Sequence, residues 1–148
     1  MAQQGDSWYV VLMDFSPDLQ SCLLCDDVRR EHNGKFILIG LFDSLGVPKL
    51  PVTYPRLCLA TRWCSGEGDF TQSSRILKTD RATTLVEGKS IPVRLENDLH
   101  TATNVEFFMN VTFEEAGVYW VEIFLDDQLK ISYPLRVTQL PTPPQSGA

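Results

Sequence analysis

The stretch VEFFMNVTFEEAGVYWVEIFLDDQLKISYPLRV, residues 105–137, decides the fold class. Val105, Phe107, Met109, Val111 and Phe113 alternate with Glu106, Phe108, Asn110 and Thr112, and Tyr119, Val121, Ile123 and Leu125 alternate with Trp120, Glu122, Phe124 and Asp126. Ile131, Tyr133, Leu135 and Val137 repeat the scheme against Lys130, Ser132, Pro134 and Arg136. Side chains of a strand point alternately to its two faces, so period two over three runs predicts three half-buried strands. Asp126-Asp127 lies between the second and third and reads as their hairpin turn.

Outward from this segment, short β-type runs recur with turn signals between them, and no long stretch keeps a helical period. The predicted strands are Trp8–Phe15, Leu19–Arg29, Phe36–Phe42, Arg56–Cys64, Phe70–Lys78, Ser90–Glu96, Val105–Phe113, Val118–Leu125 and Leu129–Thr138. An all-β antiparallel sandwich of about seven to nine strands follows. At 148 residues the chain has one domain's length, expected as a sandwich over 1–139 and a disordered, Pro-rich tail over 140–148. The Pro-rich stretch from Val47 to Pro55 reads as an extended connection from one sheet to the other.

Asn33-Gly34 predicts a two-residue type I′ hairpin, which sets Glu31 opposite Phe36, Val28 opposite Ile39 and Cys25 opposite Phe42. The second arm, FILIGLF, is apolar on both faces and is expected in the middle of a sheet, covered on both sides. A helix begun at Ser16-Pro17-Asp18 is the rival for the first arm, but it would set Asp26 and Arg30 on its apolar stripe.

The same arm contains CLLCDDV, residues 22–28. Cys22 and Cys25 have the spacing of a zinc or thiol–disulfide motif, and Cys58 and Cys64 would complete four ligands. On a strand, however, residues three apart face opposite ways and cannot hold one ion. Four small, free hydrophobes are expected, with no metal and no cofactor. Asp26 and Asp27 are harder to place. If both faces of the hairpin are covered, at least one carboxylate is buried and needs a partner among Arg29, Arg30, Arg56 and Arg62.

The net charge of −6 argues against nucleic acid and anionic lipid, which require basic surfaces. No apolar run approaches the ~20 residues that span a bilayer, and the segment before Asp14 lacks the basic start of a secretory signal. A cytoplasmic protein is expected.

Glu115-Ala116-Gly117-Val118-Tyr119-Trp120-Val121 resembles the entry to strand F of immunoglobulin-like sandwiches, which implies that Tyr119 is a corner tyrosine bonded to nearby backbone. The cysteine of antibody domains is replaced by Val121, so no disulfide of that kind is implied. The strings LCDDVRREHNGKFILIGLFDSL (24–45), RLCLATRW (56–63) and GVYWVEIFLDDQLKISYPLRV (117–137) resemble a family of small bacterial proteins catalogued as a domain of unknown function. The resemblance implies a soluble, immunoglobulin-like sandwich with no established activity.

Of the constellations that carry chemistry, only Asp98 and His100 form an acid–base pair, in a polar loop, and no nucleophile elbow or phosphate-binding loop occurs. The expectation is a non-catalytic binding or structural module that self-associates or binds a protein partner. Its interface is placed on Phe108, Trp120 and Phe124, three aromatics on what the alternation makes an outward face. A small enzyme using Asp98 and His100, or a ligand site at Asp26 or Asp27, are the alternatives.

Overall fold

In the computed structural model, which describes residues 16–141, strand β1 (Asp18–Cys25) pairs with β5 (Val52–Cys64), and β5 pairs with β9 (Ala102–Phe113). Against this three-stranded sheet packs a six-stranded one. Its order is β4 (Ser44–Val47), β11 (Gln128–Gln139), β10 (Gly117–Leu125), β6 (Gly68–Leu77) and β7 (Thr84–Glu87), with β8 (Ile91–Leu95) on the other end of β6. A separate hairpin is formed by β2 (Asp27–Arg30) and β3 (Phe36–Ile39). The fold is an all-β sandwich of eleven strands among the described residues, more than the seven to nine expected. No helix of the described residues is long and apolar enough to cross a membrane.

The sheets are not wholly antiparallel, because β4 runs parallel to β11, with Ser44 opposite Arg136 and Val47 opposite Gln139. The chain therefore starts in the three-stranded sheet, detours through the hairpin, joins the edge of the six-stranded sheet, and returns as β5. The return, residues 48–51, is the crossing expected of the proline-rich stretch, and it contains a cis Leu50-Pro51 bond. It is shorter than expected, since β5 already begins at Val52. The predicted strand Trp8–Phe15 and the tail from 142 lie outside the described residues. Leu140 is held instead, its N–H donating to Val47 O at 2.7 Å.

The core is filled from both sheets by Leu57, Leu59, Trp63, Phe108 and Phe113 on one side and Ile76, Tyr119, Val121, Ile123 and Leu135 on the other. Phe113 meets Tyr119 edge-on, with centroids 4.9 Å apart. Leu19, Cys22 and Leu24 of β1 face the same interior. Trp63 Nε1 and Thr61 Oγ1 both donate to Gln72 Oε1 at 2.8 Å, which pairs these three atoms, whereas Gln72 Nε2 is buried without a hydrogen-bond partner among the described residues.

Two departures from the predicted strands change which residues face outward. The first is in β9. Asn110 adopts a φ of 53° and stands between the pairs Tyr54–Val111 and Arg56–Met109, directly across from Pro55. Each strand spends one residue there that points neither in nor out. The register survives, but inward parity reverses on both strands: Val111 and Phe113 point inward beyond the bend, Glu106 and Phe108 before it. Pro55 is tolerated because it lies past the end of β1, whose last pair is Cys25 with Cys58.

The second departure is the hairpin. Gly34 N–H donates to Glu31 O and Glu31 N–H to Lys35 O, so the loop has three residues. Only Gly34 takes a positive φ, of 89°, whereas a type I′ turn needs two such residues. Asn33 is not among the positive-φ residues and uses its Oδ1 to accept from Lys35 N–H at 3.0 Å. The register therefore moves by one: Val28 faces Leu38 rather than Ile39, and Leu24 rather than Cys25 faces Phe42. The type I′ geometry occurs at Asp126-Asp127, whose φ values are 47° and 65°. Nor is FILIGLF covered on both sides, since Ile37, Ile39 and Leu41 are exposed. The single strand expected over Leu19–Arg29 is broken at Asp26, where β1 gives way to the hairpin.

Candidate functional site

Phe108, Trp120 and Phe124 do not share a face. Phe108 is 2% exposed and part of the core, because the bend at Asn110 turns it inward. Trp120 and Phe124 do lie on the outer face of the six-stranded sheet, and both are half-buried under arginines. The Arg81 guanidinium sits 3.6 Å from the Trp120 ring centre and that of Arg75 5.0 Å from Phe124. Arg75 also binds the buried Glu122 between them, with N···O distances of 2.8 and 2.9 Å. Leu77, across from Trp120, is buried beside it. On this face the two aromatics are covered by cations, while Val118 on the same strand and Leu129, paired with Phe124, stay exposed.

The outer face of the three-stranded sheet is the reverse. Once β9 changes parity, Phe107 and Met109 point out, as Leu23 does on β1 at the far side of β5, and all three are exposed. The hairpin stands over one end of this face. Phe36 and Leu38 turn toward it and, with Leu23, Ala60 and Val105, enclose a cleft of about 220 Å³. Ile37, Ile39 and Leu41 remain uncovered on the hairpin, Leu41 at 57% and Met109 on the sheet at 58% exposure. The apolar surface predicted for Phe108, Trp120 and Phe124 thus exists on the opposite sheet.

Neither Asp26 nor Asp27 is a buried carboxylate. Asp26 is exposed at the break between β1 and β2, and Asp27 is half-buried. Asp27 accepts from Arg56 at 2.9 Å and from Arg29 at 3.3 Å, two of the arginines proposed for it. The Val28 backbone amide, followed by Arg56, holds its carboxyl below the usual range. Arg56 in turn covers Phe107, 5.1 Å from the ring centre. These are surface ties that fasten the hairpin to the sheet.

The cysteines are on opposite faces of β1, as the strand geometry requires: Cys22 points inward to Tyr133, with Sγ and hydroxyl 3.4 Å apart, and Cys25 lies opposite Cys58 beneath the hairpin. All four are free. Burial pushes the thiols of Cys22 and Cys58 up to about 11, which leaves them protonated and poorly nucleophilic at neutral pH. Among the described residues no three His, Cys, Asp or Glu side chains come together as metal ligands. His100 faces Glu96, at 3.9 Å, and Asn97, at 3.5 Å, rather than Asp98.

The buried carboxylates belong to Glu106 and Glu122, which the alternation assigned to outward positions. Glu122 is outward but roofed by Arg75, and Glu106 is inward. Glu106 Oε1 accepts a hydrogen bond from Ser74 Oγ of β6. Burial pushes its carboxyl above the usual range, opposed by Ser74 and the Lys89 amide. The residue lines a cleft of about 610 Å³ between β9 and the segment 86–92. A glutamate inside a β-type run was the available sign, but only the parity of β9 distinguishes it from a solvent-facing one.

Tyr119, on the inner face of β10, donates its hydroxyl to Glu115 O at 2.8 Å and closes the corner between β9 and β10. Comparison with curated proteins finds no match to this chain. The model of a family of unknown function (DUF6941) matches residues 20–138, which take in the hairpin, both sheets and the Tyr119 corner, and the chain belongs to that family.

Proposed function

We propose that this protein is a non-catalytic binding module with an immunoglobulin-like sandwich, working in a reducing compartment and self-associating through the outer face of its three-stranded sheet. The strand orders support the fold reading. β1, β5 and β9 correspond to strands A, B and E of such domains, and β6, β10 and β11 to C, F and G, with the tyrosine corner at the entry to F. The four free thiols fit a reducing environment.

The observation that carries the interface is the set of exposed apolar side chains on this side of the molecule, Leu23, Phe107 and Met109 on the sheet and Ile37, Ile39 and Leu41 on the hairpin that stands over it. Exposed apolar side chains gathered on one face mark an interaction surface. The rim has both signs of charge, with Asp26 and Glu31 beside Arg29 and Arg30. A twofold axis can therefore set acids of one copy against arginines of the other, and the occupant we assign is a second copy of this chain.

Light scattering coupled to gel filtration tests this. The wild type is expected to run as a dimer, Ile37→Ser and Met109→Ser as monomers that still unfold cooperatively, and Trp120→Ser as a dimer. A monomeric wild type, or a dimer that survives both substitutions on the three-stranded side, overturns the assignment.

A further inference from the structure

On the inner side of the strand that presents Phe107 and Met109, Glu106 is 6% exposed, with Oε1 held by Ser74 and the Lys89 backbone amide also directed at its carboxylate. Oε2 is buried without a hydrogen-bond partner among the described residues. A carboxylate oxygen taken from water and left unpaired is costly, so its retention calls for a group that satisfies it. The surroundings leave space for one. Glu106 opens on the cleft of about 610 Å³, whose other wall is the segment from Val86 to Pro92.

Gly88 sits where that wall meets the carboxylate. Its N–H donates to Ser74 O at 2.9 Å, and a Cβ at this position would overlap both carboxylate oxygens and Ser74 Oγ. A side chain here would force the Glu106 carboxylate and the Ser74 hydroxyl to shift. The flanking Val86, Ile91 and Pro92, with Phe107, Phe108 and Met109 of β9 opposite, make the cleft apolar beyond the carboxylate. Glu87 and Lys89 are its other ionisable groups, and Lys89 forms no ion pair with Glu106 among the described residues.

A group suited to this place has N–H donors, positive charge and an aliphatic body. An ammonium supplies three donors and pairs with a carboxylate through charge-assisted bonds, which strengthen when water is excluded. A guanidinium is wider, and its planar fork is matched to two free oxygens rather than one. We propose that the cleft is a binding site for a small aliphatic primary amine, its ammonium on Glu106 Oε2 and its alkyl chain against Val86, Ile91 and Pro92. This site adjoins the self-association surface, because Phe107 and Met109 also line the mouth of the cleft, but its carboxylate lies on the inner side of β9.

Titration of the full chain with n-butylamine, followed by calorimetry and by the amide NMR signals of Gly88 and Lys89, tests the assignment. n-Butanol serves as the uncharged analogue. Saturable binding of the amine that shifts both amides, with the alcohol at least about tenfold weaker, is expected. Glu106→Gln should lose roughly tenfold in affinity, and Lys89→Ala, at an exposed position, should bind at least as tightly as wild type. Equal binding of amine and alcohol, shifts elsewhere in the chain, or no saturation overturns the proposal. The wild-type shifts decide it even if the Gln variant fails to fold.

Discussion

The two outer faces of the sandwich both carry aromatic side chains and cover them to different extents. On the six-stranded sheet, Trp120 and Phe124 are roofed by Arg81 and Arg75, and Glu122 ties Arg75 down between them. On the three-stranded sheet, Arg56 shields Phe107 only in part, and Met109, Leu23 and the hairpin's isoleucines have no such cover. An arginine over an aromatic ring combines cation–π attraction with burial of its own stem, and it closes an apolar surface without a partner. Aromatic content alone therefore does not identify an interface. What matters is whether the chain supplies its own lid.

The largest expected effect separates core from face. Phe108→Ala should destabilise by about 3–5 kcal/mol, the range for truncating a fully buried phenylalanine. Phe124→Ala should cost far less. Chemical denaturation of both variants measures the difference, and comparable losses would place Phe108 and Phe124 in equivalent environments after all.

Next comes the lid. Arg75→Ala removes the partner of buried Glu122 and uncovers Phe124, with an expected cost of about 1–3 kcal/mol. Arg56→Ala frees only an exposed ion pair, so roughly 1 kcal/mol or less is expected. If the two losses are equal in thermal unfolding, the contrast between the faces is not energetic.

The pH dependence isolates Glu106, which faces Ser74 of β6, Glu87 and Lys89 of the cleft wall and the Cys22 thiol. Its folded-state carboxyl is raised above the ordinary value of 4.5, so the folded chain holds this proton more tightly than the unfolded one. The stability it contributes is fully present below the unfolded pKa and is lost as pH rises through the folded pKa. Relative to Glu106→Gln, the wild type should lose stability from about pH 4.5 upward. Denaturation midpoints of the two proteins across that window read the effect, and a constant difference would mean that Glu106 titrates normally.

The smallest expected effect is on the open face. Leu41→Ser, at a 57% exposed position, should change monomer stability by about 0.5 kcal/mol or less while weakening self-association. A pronounced fall in stability at high dilution would show Leu41 to be packed within its own chain.

Much of the fold was legible along the chain. The turn at Asp126-Asp127, the corner at Tyr119, the opposed faces of Cys22 and Cys25 and the crossing after Val47 all follow from residues within a few positions of one another. The candidate sites were not. Phe108 and Glu106 were assigned outward because Val111 and Phe113 were taken to set the phase for the whole of β9. The small strands β4 and β7 were missed for a related reason, since four residues give too short a pattern to stand out from a loop.

Local sequence determined that this chain forms strands, because alternation of apolar and polar side chains is a property of neighbours one and two positions apart. It also set most of the turns, where particular residues permit particular backbone angles. Which face of a strand is inside was decided only by tertiary structure. A single residue at a bend reverses the parity of everything beyond it, and Asn110 takes that conformation opposite Pro55, a residue more than fifty positions away. The same long-range pairing put Ser74 and Gly88 beside Glu106 and turned Phe107 and Met109 to solvent.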